Sequence, residues 1–344
     1  MRLHVLPALH GDALWLEYGD GRRRSVLIDG GPKSASTSTM VRQLADTHEF
    51  ELIVVSHIDA DHITGILELL GDGNQRVGTG DLWFNAWQHL PTDALGAKQA
   101  ERLSEDISSR RLPWNDAFDR GPVMVPERDP LPRVRLGGGL ELTLLSPTRA
   151  QLAALKPIWK REVEKAGLVE DADPEPEKAP DSLGSQSLDL QELASRPFRP
   201  DRSAANGASI AVLAEHDGKS VLFAGDAHAD VLETQLARLA AERGVNAIHI
   251  DVAKLSHHGS GHNLSSGLLT TIECDRWVFS TNGAIFGHPD PETIARLVVD
   301  RPGVELIFNY RCESTERFDS PWLTRAFGYR TTYPDGDPGI SIEI

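Results

Sequence analysis

The 344-residue chain has the composition of a globular protein, with 40% hydrophobic and 25% charged residues, and no segment approaches the roughly 18 apolar residues of a membrane span. Its net charge of −16 disfavours broad attraction to nucleic acid, although a local basic groove from arginines such as Arg110 and Arg111 stays open. Two cysteines, Cys274 and Cys312, are too few for a disulfide framework, so any metal must be held by His and carboxylate.

The first half of the chain predicts a strand meander, then a helix, a buried strand, a polar loop and a second helix. Its first residues alternate as strands do and lack the apolar stretch of a signal peptide, so we expect a soluble cytoplasmic protein with no membrane segment. The predicted elements are strands at residues 3–6, 13–18, 25–29 and 52–55 and helices at residues 39–47 and 63–70.

The second half repeats this style, beginning with a hairpin across Asp217-Gly218. The predicted strands are residues 209–215, 220–224, 253–256, 276–280 and 305–308, and the predicted helices are residues 230–243, 265–272 and 291–299. Two halves of this kind predict an α/β fold in which two sheets pack face to face with helices outside.

Residues 169–187 are rich in Pro, Asp, Glu and Ser and contain little that could be buried. This composition predicts a flexible acidic insertion. We interpret it as a loop within a single domain spanning residues 1–344, because the second half carries residues that the metal site of the first half needs.

Four potential metal ligands crowd the loop that follows the apolar run at residues 52–55. They are His57, Asp59, Asp61 and His62. With Asp226, which follows another apolar strand, their carboxylates would repel one another if buried together unless a cation compensates them. The pattern predicts a metal site rather than a polar loop that only faces water. Asp226 alone has a second interpretation, as the N-cap of the next helix.

The cluster resembles the His-x-His-x-Asp-His signature of the metallo-β-lactamase superfamily, with Asp59 in place of the second His. This variant is similar to the hydrolase domain of ComEC-type DNA-uptake proteins. Further motifs of the resemblance occur in order as His10-Gly11-Asp12, Asp29-Gly30-Gly31, Asn206 with Ser209, Gly225-Asp226, Ser256-His257-His258-Gly259-Ser260 and Phe286-Gly287-His288-Pro289. The resemblance implies a metallo-β-lactamase-like four-layer αββα sandwich.

The resemblance also implies two divalent metal ions, manganese or zinc. The implied ligands are His57 and Asp59 for the first metal, Asp61, His62 and His288 for the second, and Asp226 as the bridge. Asp61 has an alternative role in orienting the nucleophile. Because Asp59 replaces an imidazole by oxygen ligands, manganese is favoured over zinc.

The first metal lacks a His ligand that many members of the superfamily supply. Between residues 101 and 225 the chain has only His216, at a hairpin end. His89 and the amide oxygen of Asn206 are the other candidates.

Two histidines end the apolar strand at residues 253–256, so one side chain should face the cavity and the other should face away. By analogy with phosphodiesterases of the superfamily, His257 is favoured as a general acid, although the residues alone leave the choice between His257 and His258 open. Lys254 either steadies a phosphate or lies at a strand edge.

The remaining polar candidates have weaker assignments. The resemblance places His10 and Asp12 near the metal loop, as support for its ligands. Asn85, Trp87 and His89 either line a pocket or belong to the core, and His262 is expected to be exposed.

Three functions follow from this site. The first is a phosphodiesterase or nuclease that uses a metal-activated water, with nucleic acid or another phosphodiester as its substrate. The second is a hydrolase of small esters, lactones or amides, which an apolar pocket near Trp83 and Trp87 would favour. The third is an inactive metal-binding partner in a larger assembly. The identity of any protein partner stays open.

Overall fold

Two large β-sheets form the centre of the protein in a computed structural model that describes residues 1–19, 21, 23–45, 49–71, 77–91, 102–166 and 188–344, excluding the side chains of residues 42 and 45. The acidic stretch predicted at residues 169–187 lies outside the described residues, so the insertion and the single-domain interpretation stay predictions.

The described strands match most of the predicted ones to within two residues. In chain order they are β1 (Arg2–Val5), β2 (Leu14–Tyr18), β3 (Arg24–Ile28), β4 (Glu49–Phe50), β5 (Leu52–Val54), β6 (Gly78–Thr79), β7 (Leu82–Trp83), β8 (Arg133–Arg135), β9 (Glu141–Ser146), β10 (Ala211–His216), β11 (Lys219–Phe223), β12 (Ile248–His249), β13 (Val252–Lys254), β14 (Ile272–Glu273), β15 (Arg276–Phe279), β16 (Glu305–Phe308), β17 (Arg330–Thr332) and β18 (Ile340–Glu343).

Helices lie between these strands. In the described part of the chain they are α1 (Ala35–Ala45), α2 (Ala60–Leu70), α3 (Arg102–Arg110), α4 (Arg149–Leu155), α5 (Trp159–Lys165), α6 (Leu190–Ser195), α7 (Ala204–Gly207), α8 (Ala229–Arg243), α9 (Ser266–Thr270), α10 (Pro291–Asp300), α11 (Glu313–Glu316) and α12 (Pro321–Phe327). None of them is both long enough and apolar enough to cross a membrane.

The first sheet has the strand order β18-β1-β2-β3-β5-β7, and the second has the order β17-β16-β15-β13-β11-β10-β9-β8. In the first sheet the meander β1-β2-β3 is antiparallel, and β5 and β7 then continue parallel to β3. In the second sheet β8 to β11 are antiparallel, and β13, β15, β16 and β17 continue parallel to β11.

Strand periodicity separates the two faces of the first sheet. In β5, Leu52 and Val54 belong to the core that also contains the strands of the second sheet. Ile53 belongs instead to an outer core with Ile63 and Ile66 of α2. Successive side chains of a strand point to opposite faces, whereas residues three apart lie on one face of a helix. The sheet is therefore covered by the second sheet on one side and by helices on the other.

The outer face of the second sheet is covered in the same way. Leu232 and Leu236 of α8 and Ile294 and Leu297 of α10 are buried in its core. The layers run helix, sheet, sheet, helix, which confirms the predicted four-layer αββα sandwich of the α/β class. At one edge, the carboxyl ends of β3 and β5 meet those of β11, β13 and β15. Loops at this edge carry the predicted site residues.

Candidate metal centre

The predicted cluster lies where β5 passes into α2. His57 follows the strand after two buried residues, Asp59 has an extended backbone at the start of α2, and Asp61 and His62 lie in its first turn. His62 is fully buried, whereas the side chain of Asp59 is 22% exposed. The loop therefore directs its ligands inward and leaves Asp59 at the rim.

Glycines hold the first turn of α2 close to two neighbouring loops. A Cβ atom on Gly11 would lie 1.9 Å from the carbonyl oxygen of Asp61, and one on Gly65 would lie 1.9 Å from the carbonyl oxygen of Gly30. The N–H of Gly30 donates to the carbonyl of His62 at 2.8 Å. These approaches give a physical reason for glycine in the motifs at residues 10–12 and 29–31.

The hydrogen bonds of two imidazoles determine which ring nitrogen is free. Nδ1 of His62 lies 2.8 Å from a carboxylate oxygen of Asp29, and Nδ1 of His258 lies 2.9 Å from the carbonyl oxygen of Ser280. A carbonyl and an ionised carboxylate only accept hydrogen bonds, so both Nδ1 atoms carry protons. In the neutral rings, Nε2 then presents a lone pair to a metal.

The hydroxyl of Ser56 determines in the same way which ring nitrogen of His57 is free. Ser56 donates its hydroxyl proton to Asp29 at 2.6 Å, so its oxygen is an acceptor for Nδ1 of His57 at 3.0 Å. Ser209, whose oxygen also lies 3.0 Å from this Nδ1, accepts from the backbone N–H of Asp226. His57 is therefore also held with Nε2 free.

The three free nitrogens converge on one carboxylate. An oxygen of Asp226 lies 3.5 Å from Nε2 of His62, 3.8 Å from that of His57 and 4.0 Å from that of His258. All three Nε2 atoms and Oδ1 of Asp226 are buried and have no hydrogen-bond partner in the described part of the chain. Such atoms are costly to bury without a partner, and a bound cation would satisfy all of them.

Three groups of donors among the described residues have the spacing of metal ligands, and all three include His62. The first is His57, His62 and Asp226, the second is Asp61, His62 and His258, and the third is Asp12, Asp29 and His62. In the second group, Asp61 lies 3.4 Å from Nε2 of His258 and 3.7 Å from Nε2 of His62. Imidazole and carboxylate donors of this kind suit zinc and manganese. The residues present therefore fit a pair of divalent cations.

Mutual attraction within the cluster outweighs the cost of burial. Burial alone would raise the pKa of Asp226, but the imidazoles of His62 and His257 hold it well below its usual range. Burial would lower the pKa of His258, yet the charges of Asp12 and Asp226 raise it to about 9. The carboxylates are therefore anionic, and a metal must displace imidazole protons when it binds.

The role of His288 as the last ligand of the second metal stays a prediction, and His258 is a second candidate for that place. Nδ1 of His288 lies 3.0 Å from Asp290, and its ring stands 5.4 Å from that of His257. His288 belongs to none of the three donor groups, whereas His258 lies beside Asp61 and His62. His288 follows Gly287, which has a φ of 73°, and its ring is buried.

The expectation that one of His257 and His258 would face away from the cavity is wrong. The strand ends at Lys254, and the next residues form a turn in which His257, His258 and Gly259 have φ values of 49°, 54° and 87°. Three successive left-handed residues break the alternation of a strand. Both rings consequently direct Nε2 toward Asp226, at 3.9 Å for His257 and 4.0 Å for His258.

His257 is the more accessible of the two rings, with 23% of its side chain exposed against 1% for His258. Its Nδ1 lies 3.1 Å from the amide oxygen of Asn263 and 3.5 Å from Asp201. Asp201 and Asn263 were not singled out from the sequence. Asp201 is far from His257 along the chain, and no local pattern joins them.

A phosphate-binding role for Lys254 disagrees with the structure. Both Lys254 and Asp12 are fully buried, and they form an ion pair. The other oxygen of Asp12 lies 3.3 Å from Nδ1 of His258. Lys254 therefore neutralises Asp12 behind His258 and is not accessible to a substrate. The predicted position of Asp12, beside the ligands, agrees with this geometry.

The candidates for the missing ligand of the first metal have other hydrogen-bond partners. Nε2 of His216 is 3.0 Å from the carbonyl of Gly138, and Nδ1 of His89 accepts from the N–H of Ala86 at 3.1 Å. Asn206 donates through its amide nitrogen to Asp201 at 2.8 Å. Asp59 is nearer, with an oxygen 3.6 Å from Nε2 of His57.

The remaining polar candidates have structural contacts. Asn85 exchanges two hydrogen bonds with the backbone of Val123, and Trp87 packs near Trp159. His10 lies at the rim, with its ring 6.2 Å from that of Phe286. Nδ1 of His262 contacts the carbonyl of Arg199 at 2.6 Å. Asn85 and Trp87 thus belong to the packed interior, as one of the two interpretations of the sequence has it.

No protein-family model and no curated protein sequence matches the chain. Solved structures resemble it at low identity. Zn²⁺-bound PqqB from Methylobacterium extorquens is 12% identical, with 100% of both chains covered and a TM-score of 0.42. CmlA, a diiron β-hydroxylase from Streptomyces venezuelae, is 12% identical at a TM-score of 0.40, with 100% of this chain and 54% of CmlA covered.

A motif mutant of a metallo-β-lactamase from Cronobacter sakazakii is 14% identical at a TM-score of 0.31, with 73% of this chain and 76% of that chain covered. The chain thus spans about half the length of CmlA and the whole length of PqqB. At these identities the likeness concerns the fold alone.

Proposed function

We propose that this protein is a metal-dependent phosphodiesterase with two divalent cations, manganese or zinc. The observation that carries the proposal is the convergence of three unpartnered imidazole nitrogens on Asp226 inside the protein. Without a cation, these buried and unpartnered atoms would destabilise the fold, whereas a bound cation would satisfy them.

The donor positions suggest how the cations are shared. His57 and Asp59 would hold one, Asp61, His62 and His258 would hold the other, and Asp226 would contact both. When bound, such cations supply Lewis acidity and lower the pKa of a coordinated water. Three of the six donors are carboxylates, so the site is richer in oxygen than an all-imidazole site. Oxygen ligands favour manganese over zinc.

His257 is suited to donate a proton to the leaving oxygen of the substrate. Its ring is the accessible one, and Asp201 and Asn263 hold Nδ1 so that Nε2 faces the reacting centre. Burial would lower the pKa of His257, but the charge of Asp226 raises it above its ordinary value. This shift favours the protonated form of the ring, which a general acid needs.

Two arginine side chains without ion-pair partners in the described part of the chain favour a phosphodiester substrate over a neutral ester. Arg199 and Arg202 flank Asp201, and both are exposed. Neither guanidinium has a salt-bridge or hydrogen-bond partner among the described residues. Guanidinium groups recognise phosphate oxygens through paired hydrogen bonds. The resemblance of the cluster to ComEC-type hydrolase domains points to the same substrate class, which includes nucleic acid.

Hydrolysis of bis-p-nitrophenyl phosphate with Mn²⁺ or Zn²⁺ tests this function. We expect cleavage by the wild type and none by Asp226→Asn. Asp81→Asn is the matched control, because Asp81 is also a buried carboxylate but accepts hydrogen bonds from Leu82 and Trp83 instead. Cleavage of p-nitrophenyl acetate without any phosphodiester cleavage would favour the hydrolase of small esters instead. Inactivity on every substrate would favour the binding partner.

A further inference from the structure

One aromatic side chain at the rim of the metal centre is exposed. Phe286 is 43% exposed, and among the described residues the other exposed large hydrophobic side chains are Val245 and Trp322. Val245 follows α8 and Trp322 lies in α12, so neither belongs to the loops of the metal centre. Phe286 is therefore the exposed aromatic ring closest along the chain to the site residues.

A series of rings connects Phe286 to the reacting centre. Its ring stacks on that of His288 with a centroid distance of 5.8 Å and an interplanar angle of 27°. The ring of His288 lies 5.4 Å from that of His257, and Nε2 of His257 faces Asp226. Phe286 is thus two rings away from the general acid of the proposed reaction, with part of its surface open to solvent.

This position is suited to a planar group attached to the reacting phosphate. Exposed apolar surface is unfavourable in water, and an aromatic face beside a catalytic centre gains from stacking on another π system. Proteins that bind single-stranded nucleic acid stack bases on such side chains, and their affinity is tolerant of sequence. The exposed Arg199 and Arg202 flank Asp201 along the chain, and the carboxylate of Asp201 lies 3.5 Å from Nδ1 of His257.

We propose that Phe286 stacks a nucleobase of the substrate, so that the phosphodiester cleaved belongs to a nucleotide or a single-stranded nucleic acid. This inference rests on the proposed phosphodiesterase function and narrows its substrate class. A double helix would hide the faces of its bases from Phe286, so the substrate is single-stranded or short.

Two chromogenic substrates with the same leaving group isolate the contribution of the base. They are the p-nitrophenyl ester of thymidine 5′-phosphate and methyl p-nitrophenyl phosphate. For Phe286→Ala we expect KM for the thymidine ester to rise about tenfold with kcat unchanged, since one stacked base contributes roughly that much affinity. The methyl ester should be cleaved as by the wild type. Phe286→Trp should restore KM, and Trp322→Ala is the matched control.

Binding without turnover gives a second readout. In EDTA, fluorescence anisotropy compares a labelled oligothymidylate with an abasic oligonucleotide of the same length. We expect the wild type to bind the oligothymidylate more tightly and Phe286→Ala to lose about tenfold of that affinity. The abasic strand, which retains its phosphates, should bind both proteins equally.

Each outcome decides the inference. If Phe286→Ala loses equal activity on both chromogenic esters, Phe286 only supports the loop. If the variant loses activity on neither ester, Phe286 does not contact the substrate. Either result overturns the inference. If the methyl ester is cleaved but bases add nothing to binding, the inference fails while the phosphodiesterase function stands. If neither ester is cleaved with Mn²⁺ or Zn²⁺, the proposed function fails, and the inference fails with it.

Discussion

The carboxylate of Asp29 lies 2.8 Å from Nδ1 of His62 and fixes which nitrogen of that ring faces the metal centre. The same carboxylate accepts the backbone N–H of Ser56 at 2.7 Å and its hydroxyl at 2.6 Å. Asp29 has a φ of 60°, a left-handed conformation that directs its side chain from the end of β3 across to the ligand loop. One buried carboxylate thus orients two of the three histidines proposed as ligands, His57 through Ser56 and His62 directly.

Replacement of Asp29 should lower the affinity of the protein for Mn²⁺. Asp29→Asn keeps the size of the side chain but replaces one oxygen by an NH2 group, although all three neighbouring donors need acceptors. We expect the Kd for Mn²⁺ to rise about 10- to 100-fold, the usual effect of losing the partner of a ligand histidine. Calorimetric titration measures this. Asp81→Asn, at a buried Asp remote from the ligands, should leave the Kd unchanged; an equal effect of both would contradict the role of Asp29.

The buried pair of Lys254 and Asp12 should show strong coupling. Lys254→Met leaves the carboxylate of Asp12 buried without its cation, which costs about 3–5 kcal/mol in the free energy of unfolding. Lys254→Met combined with Asp12→Asn should cost less than the sum of the single changes. Urea unfolding of the four proteins gives the coupling. Lys219→Met, which removes a half-exposed partner of Asp251, should cost less than about 1 kcal/mol.

Gly11 should not tolerate a methyl group. A Cβ atom there would lie 1.9 Å from the carbonyl oxygen of Asp61, so either the loop or the first turn of α2 must move. We expect Gly11→Ala to lower the free energy of unfolding by about 1–3 kcal/mol and to weaken Mn²⁺ binding, because Asp61 is displaced. Gly336→Ala, where no atom lies within 4 Å, is the control. Unchanged metal affinity in Gly11→Ala would mean that Asp61 is not a ligand.

His89 should make the fold sensitive to acid. Burial lowers its pKa from 6.5 to about 4 in the folded protein, and its Nδ1 accepts the N–H of Ala86. Between these two pH values the unfolded chain binds a proton that the folded protein does not. The stability due to the neutral ring is therefore complete above pH 6.5 and is lost as the pH falls toward 4, with a slope of at most ~1.4 kcal/mol per pH unit.

His89→Gln removes this proton linkage. In urea unfolding with EDTA, the stability difference between wild type and His89→Gln should shrink as the pH falls from 7 to 4.5. His249→Gln, at an exposed position, is the control and should show a constant difference. A difference for His89→Gln that does not vary with pH would mean that this ring is not buried in its neutral form.

Patterns in the sequence predicted two packed sheets with helices outside and the first half of the site, and the family resemblance added the four-layer order. The apolar run of β5 and the helical spacing in α2 are local signals, and they place His57, Asp61 and His62 at a strand end and a helix start. Asp226 was predicted for the same reason, as the residue that follows β11 and Gly225.

The rest of the site depends on tertiary structure. Strand periodicity gave the wrong side-chain directions for His257 and His258, because both lie in a left-handed turn. No proline precedes this turn to indicate that the strand has ended. Burial of Lys254 follows from its pairing with Asp12, 242 residues away along the chain. The contact between Asp201 and His257 likewise joins two loops that only the fold brings together.

The number of Mn²⁺ ions bound per chain tests the metal centre most directly. Calorimetric titration and elemental analysis should find two ions in the wild type, one in His258→Gln and two in His288→Ala, because His258 and not His288 lies beside Asp61 and His62. Wild-type protein that binds no divalent cation, or a His258→Gln variant that keeps both ions while His288→Ala loses one, would contradict this account.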